Sequence, residues 1–309
     1  MAETHDIPDL KDSDEMFLHE LTGRIGELAN AHIESEKEYF PYDFADEIDQ
    51  AVADGNLDLD SDEAQITPIV RNALFVNLLT EEGLPYYTST IQSPVPLRHP
   101  IREWSHLWTA DEGRHGPTIA NFLHKTRQFS MRELERARNA MMRNPDTPQP
   151  ESFIESIVYP AIQEPATEIS HRNTLKLLPR VHKIGRRAIG FVIGDEVRHG
   201  KFYKEASVAA MEVDPSLTVV ALARQIRGFA MPGKSIPGFD ERANEIANAG
   251  IFGPEQLKTI YDDLLNNHLR IWHQENFTPA AEKAREFLNK RMRQMEIIIR
   301  RRQSKLVQS

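Results

Sequence analysis

Apolar residues in this chain recur mostly at three- and four-residue spacing, and no stretch shows the sustained alternation of β-branched residues that marks a strand. Together these observations predict an all-α protein, a bundle of amphipathic helices. The third observation is size and balance. The 309 residues, 40% hydrophobic and 27% charged, suffice for one large helical domain with a sizeable core, or for two small ones. No boundary splits the chain cleanly, so residues 16–309 read as a single domain. Residues 1–15 are acidic, lack an apolar stretch, and fit neither a signal nor a transit peptide; they read as a disordered leader.

The helices follow in order. Residues 16–38 form the first. An Asp- and Gly-rich loop is expected over 41–62. Ser61 or Asp62 then caps a helix running towards Glu82, where Gly83 and Pro85 interrupt it. Three prolines make 93–100 a connection. A long helix is expected over 101–125, a short one over 131–142, and a Pro-rich loop over 144–150. Two long helices fit 151–178 and 180–211. A further helix over 216–230 stops at Met231-Pro232-Gly233, and others fit 240–249, 254–273 and 278–302.

Composition removes whole classes of chemistry. There is no cysteine, which excludes disulfides, thiolate zinc sites, iron–sulfur clusters and cysteine nucleophiles. Any metal must be held by His, Asp or Glu. A net charge of −10 argues against nucleic acid as a general partner. No apolar stretch is long enough for a transmembrane helix, and a cytoplasmic location is expected.

One hexapeptide appears twice: Asp111-Glu112-Gly113-Arg114-His115-Gly116 and Asp195-Glu196-Val197-Arg198-His199-Gly200, identical at five of six positions. Each contains Glu-x-x-His, and residues at i and i+3 share a helix face, so a carboxylate and an imidazole can grip one ion. Two such helices, with one Glu from each of two others, make the di-iron site of ferritin-like bundles. Glu-x-x-His alone is weak: the chain has four, including Glu103/His106 and Glu168/His171. Glu103 and Glu112 lie nine residues apart, roughly 900° around a helix at ~100° each, so they face opposite sides. Glu103/His106 therefore reads as a solvated or second-contact face. For the further carboxylates, Glu164 and His171 share a face two turns apart, and geometry alone does not choose between Glu164 and Glu168/His171. Glu81-Glu82 ends a helix and would ordinarily be an exposed acidic terminus.

With these motifs the chain resembles the soluble acyl-carrier-protein desaturases, especially those of actinobacteria. The likeness rests on Trp108 to Gly116, Gln163 to Thr174, Asp195 to His199, Thr80 to Pro85, Phe229 to Gly233, and the segment from Arg270 to Thr278, and it covers roughly residues 20–300. The resemblance implies a ferritin-like bundle with peripheral helices and two iron ions, held by Glu81, Glu112, His115, Glu164, Glu196 and His199. It places Thr167 near the O2 pocket, Asp195 and Trp108 close to the cluster, and His171, Arg114 and Arg198 behind the ligands. It also implies a homodimer. Where the family carries a Trp in a Lys-x-Trp-x-Pro-x-Asp stretch linking an Asp and a ligand His, this chain has Lys37-Glu38-Tyr39-Phe40-Pro41-Tyr42-Asp43, with Tyr39 in its place. The connection from Glu82 to Trp108 is short.

The implied activity is O2-dependent desaturation of an acyl chain on acyl-carrier protein, in fatty acid biosynthesis. The other reading on the same ligands is a hydroxylase or N-oxygenase of a small or carrier-bound metabolite; a non-catalytic iron-storing bundle would need neither the length of this chain nor the surroundings of Trp108 and Thr167. Without cysteine or a Gly-x-Gly-x-x-Gly motif, electrons must come from a separate ferredoxin and reductase. An acidic carrier needs a basic dock. Lys283, Arg285, Lys290, Arg291, Arg293, Arg300, Arg301, Arg302 and Lys305 face only Glu282, Glu286 and Glu296, and Lys183, Arg186 and Arg187 form a second cluster. Either is a docking surface or a solvated helix end favoured by the helix dipole.

Overall fold

The structure is a computed structural model that describes residues 14–143, 150–229 and 233–308. Among them no strand occurs, as the periodicity requires. The first fifteen residues lie outside them except for Asp14 and Glu15, which already belong to α1, Asp14–Glu34. Most of the expected 144–150 loop and the Met231-Pro232 stop also fall outside.

The expected 41–62 loop is in its first half a helix, α2, Pro41–Ala53. Pro41 sets the first helical φ, and Phe44, Ala45 and Ile48 turn inward together while Tyr42, Asp43, Asp46 and Glu47 face solvent. Asp62–Ala64 is one turn of 3₁₀ helix, so the next helix, α3, starts at Pro68 rather than at 62 and ends at Glu81. Gly83 and Pro85 do interrupt the chain there, but a short helix follows, α4, Leu84–Gln92.

The single helix expected over 101–125 is two: α5, Pro100–Glu112, and α6, His115–Lys125. Gly113 and Arg114 form a tightened turn whose amides bond to Thr109 and Asp111. The first Glu-x-x-His therefore straddles a helix junction. After α7, Met131–Arg143, the helix expected over 151–178 divides at Tyr159-Pro160 into α8, Phe153–Val158, and α9, Pro160–Leu177, because Pro160 has no amide to continue the ladder. The second Glu-x-x-His lies within the unbroken α10, Lys183–Val213. The chain continues through α11, Pro215–Gly228; α12, Phe239–Asn248; and α13, Pro254–Asp262. The last runs into a π-helical turn, Asp263–His268, and stops near Arg270, whose φ is 48°. The final helix, α14, is Pro279–Gln308.

Helices α3, α5/α6, α9 and α10 are the inner bundle, with α9 and α10 packed along most of their length. Two apolar clusters fill it. One holds Trp104, Trp108, Ile162, Phe202 and Tyr203; the other holds Leu78, Leu79, Ile119, Phe122, Ile189 and Ile193. On each inner helix a buried carboxylate stands where one cluster gives way to the other: Glu81, Glu112, Glu164 and Glu196. Burying an ionised group costs several kcal/mol, so such an array persists only with compensating partners or a cation. No helix among the described residues is long and apolar enough to cross a membrane.

Candidate metal centre

The six residues singled out as ligands converge at the middle of the bundle, all of them 7% exposed or less. They fall into two overlapping groups. Glu81, Glu112, His115 and Glu196 offer ligand atoms within 4.8 Å of one another, and so do Glu112, Glu164, Glu196 and His199. Glu112 and Glu196 belong to both. Two positions sharing two carboxylates, each closed by one further carboxylate and one imidazole, are what a pair of bridged cations requires.

The open choice between Glu164 and Glu168/His171 has a geometric answer. Glu168 lies at the bundle surface, ion-paired with Arg172. His171 points inward but engages a carboxylate rather than the centre: its Nε2 is 3.0 Å from Glu81 Oε1. Asn77 Nδ2 donates to His171 Nδ1 at 3.2 Å, so the imidazole proton is on Nε2 and is given to Glu81. Ser170 Oγ in turn donates to Asn77 Oδ1 at 2.8 Å. The opposite terminal carboxylate, Glu164, receives the indole N–H of Trp108 at 3.2 Å. Thr167 Oγ1 lies 2.7 Å from Glu196 Oε2, 2.9 Å from the Glu164 carbonyl and 3.4 Å from the Gln163 carbonyl, three acceptors for one proton. Glu103 and His106 are exposed, as their phase on the helix predicts.

Behind the imidazoles the two hexapeptides cross over. His115 Nε2 faces Asp195 Oδ2 at 3.4 Å, and His199 Nε2 faces Asp111 Oδ2 at 3.3 Å, so each copy's aspartate backs the other copy's histidine. Arg114 bonds Asp111 and reaches Asp195; Arg198 bonds Asp195 and reaches Asp111. Three further residues were not marked by the sequence. His32 of α1 is buried beside Asp111; Asn77 fixes His171; and Tyr203 lies fully buried against Trp104. A lone His or Tyr on an amphipathic helix carries no pattern that separates it from ordinary core. Tyr39 is buried under the Arg114 guanidinium, 4.6 Å from its ring centre.

The sequence matches the fatty acid desaturase family over residues 13–309. The chain belongs to that family. A Mycobacterium tuberculosis protein named acyl-[acyl-carrier-protein] desaturase DesA1 is 30% identical over 296 residues, covering 92% of this chain and 87% of its own. Stearoyl-[acyl-carrier-protein] 9-desaturase 1 of Arabidopsis thaliana is 27% identical over 224 residues, or 67% of this chain and 56% of that one. The crystal structure of M. tuberculosis DesA2 shares the ferritin-like helical fold, with a TM-score of 0.64 at 20% identity over 87% of this chain and 99% of that one.

The electrostatics of this desaturase follow from burial and charge together. Burial pushes the Glu164 carboxyl well above its usual range, and the charges of Glu112 and Glu196 add to it. For Glu81 and Asp111, burial acts the same way but is outweighed. Hydrogen bonds from His115 and His171 hold Glu81 low, and those from His199 and His32 hold Asp111 low. Burial opposes a charge on His115 and His199, yet the carboxylates around them raise both well above the ordinary imidazole range.

Five buried atoms are aimed at the centre and meet only other candidate ligand atoms there: Glu112 Oε1, His115 Nδ1, Glu164 Oε2, Glu196 Oε1 and His199 Nδ1, with His199 Nδ1 2.8 Å from Glu112 Oε1 and His115 Nδ1 3.3 Å from Glu196 Oε1. Their clustering fits ligation of cations. Four carboxylates would balance two divalent ions, with the imidazoles as neutral ligands.

Beside this centre a cavity of about 90 Å³ opens between α3, α9 and α12. One wall carries Asn77, Thr80, Thr167, Ser170 and His171; the other is apolar, with Phe239, Ala243, Ile246 and Phe252. The apolar wall is fastened at both ends. Asn72 of α3 bonds Arg242 and Glu245 of α12, and Arg302 of α14 bonds Glu255 at 3.0 Å and Asn248 at 3.2 Å.

Of the basic residues expected to dock a partner, Arg186 caps α9 through the Leu175 and Leu178 carbonyls, Arg187 pairs with Glu47, and Arg285 with Glu282. Arg300 and Arg301 are exposed, while the Lys305 side chain lies outside the described atoms.

Proposed function

We propose that the chain is an O2-dependent di-iron desaturase acting on an acyl chain borne by acyl-carrier protein, as the names of its relatives indicate for them. The observation that carries this reading is the pair of overlapping donor groups, sharing Glu112 and Glu196, beside a partly apolar cavity that reaches Thr167 and His171. Glu81, Glu112, His115, Glu164, Glu196 and His199 are the ligands. Bound ferrous ions would supply the electrons that reduce O2 and the power to remove hydrogen from an unactivated carbon.

The chain's own groups do the rest. His171 and Trp108 hold the outer oxygens of Glu81 and Glu164, so each carboxylate keeps its ligating oxygen towards the centre. Asp195 and Asp111 fix the proton of each ligand imidazole on Nε2, leaving Nδ1 as the ligating atom. The apolar wall aligns the chain and excludes water. Thr167, with one proton among three acceptors, can turn its hydroxyl towards oxygen arriving from the cavity side.

In the overall reaction two C–H bonds break and one C=C bond forms. O2 becomes two waters, with two further electrons and two protons from outside. The chain has no cysteine, so the electrons come from a separate donor such as a ferredoxin. The test is mass spectrometry of acyl-carrier-protein substrates incubated with iron-loaded protein, ferredoxin, reductase, NADPH and O2. A loss of two mass units, absent with Glu112→Ala, supports the desaturase; a gain of sixteen makes the protein a hydroxylase.

A further inference from the structure

The crossed arrangement behind the ligands is two-fold symmetric only up to a point. Asp195 Oδ2 is approached by His115 Nε2 at 3.4 Å and Arg114 Nη2 at 3.5 Å, and the Tyr39 hydroxyl also faces the Asp195 carboxylate. Asp111 Oδ2 is approached by three donors: His199 Nε2 at 3.3 Å, Arg198 Nη2 at 3.2 Å and His32 Nε2 at 3.1 Å. The His32 donor comes from α1, outside both hexapeptides. His32 is buried, stacks on the His199 ring at 5.5 Å with 23° between planes, and meets the edge of Trp104 at 5.8 Å. Its position is thus fixed by two aromatic neighbours and by Asp111. Asp111 can only accept, so the Nε2 proton of His32 goes to it, and Arg198 is satisfied at Asp111 and Asp195 through its other nitrogen.

His32, Asp111 and His199 also bring three donor atoms within 4.8 Å, the geometry of a third cation site. The Arg198 guanidinium argues against one. Its Nη1 stands 3.2 Å from His32 Nε2 and its Nη2 3.2 Å from Asp111 Oδ2, so a fixed positive charge already stands where a third cation would have to sit.

We propose that His32 is a positioning residue for His199 that makes the two metal positions unequal. A carboxylate behind a ligand imidazole raises the imidazole's basicity and fixes its orientation. Asp111 meets a second imidazole, His32, which is itself stacked on His199, whereas Asp195 meets the Tyr39 phenol, which lies under the Arg114 guanidinium. The stacked His32 ring thus adds orientation on the His199 side. Loss of His32 therefore frees the His199 ring to tilt and disturbs the position closed by Glu164 and His199. The position closed by Glu81 and His115 is left as it was. This rests on the metal-binding reading above.

The test uses Co2+, whose visible absorption reports each bound ion and which needs no O2 control. In the full-length protein, His32→Leu is expected to weaken one of two bound Co2+ ions by about 10- to 100-fold and to change the spectrum of that ion alone. His32→Gln, which keeps an N–H at similar reach, is expected to restore most of the affinity. Added to His171→Leu, which removes the donor to Glu81, the loss is expected to fall on the other ion, so that both become weak. Equal weakening of both ions by His32→Leu, or no weakening in a protein with the wild-type circular dichroism spectrum, overturns the proposal. If wild type and Glu112→Ala bind Co2+ alike, the metal-binding reading itself fails, a result distinct from either.

Discussion

Replacing His171 by leucine removes one hydrogen bond from the centre with little change in shape, and the structure sets the scale of the effect. His171 is 1% exposed and gives its only proton to Glu81, whose carboxylate it helps to keep ionised. A hydrogen bond to a charged group contributes about 1.5–3 kcal/mol, which corresponds to about a 10- to 150-fold loss of affinity for the ion that Glu81 holds. Asn77 Nδ2 also loses its acceptor, which costs about 1–3 kcal/mol of folding stability. The two effects separate by measurement: competition titration with a chromophoric chelator gives stepwise Co2+ or Fe2+ affinities, and thermal unfolding of metal-free protein gives the stability. His171→Gln retains a donor and should recover part of the affinity. A His171→Leu protein that binds both ions as tightly as wild type would refute the assignment of His171 as the group that holds Glu81.

Metal loading should release protons. His115 and His199 hold theirs unusually tightly because carboxylates surround them, and a cation must displace those protons, so affinity rises with pH; calorimetry in two buffers of different ionisation enthalpy measures the number released. Arg300→Glu with Arg301→Glu alters exposed side chains and should leave stability unchanged while weakening binding of an acidic carrier protein and flattening its salt dependence; wild-type affinity at low salt removes α14 as the dock. Arg302→Ala should loosen the α12–α13 turn, read as faster hydrogen exchange over residues 246–255, with about 1 kcal/mol lost from stability. Enlarging Ala243 to Leu narrows the cavity and should shift product formation towards shorter acyl chains, and an unchanged chain-length profile would show that substrate lies elsewhere.

Much of the centre was legible because its chemistry is written twice. Two hexapeptides differing at one position mark four candidate ligands, which the fold gathers at the middle of the bundle, and Glu103, out of phase with Glu112, lies exposed. Glu81 and Glu164 were another matter. Nothing local distinguishes them from surface acids; the resemblance pointed to them, and while Glu168 pairs with Arg172 one turn on along α9, only tertiary packing shows that Glu164 turns inward. Helix α2 was hidden by its solvent face, where Asp43, Asp46, Glu47 and Asp49 gave a loop-like composition around an inward Phe44 and Ile48. The break at Gly113-Arg114 was missed because an i, i+3 pair looks the same in sequence whether or not the helix between them is continuous. His32 is 166 residues from Arg198, and only folding brings the two together.

The exchange of aspartates between the two hexapeptides limits how this chain can vary. A substitution at Asp111 is felt not by its own neighbour His115 but by His199 on a different helix, and the converse holds for Asp195. The copies cannot drift independently, so lineages that change one should show a matching change in the other. A mononuclear relative could not arise by erasing one copy alone, since the surviving histidine would lose the residue behind it. A designer wishing to graft half of this centre onto another bundle would have to carry an aspartate from the half left behind.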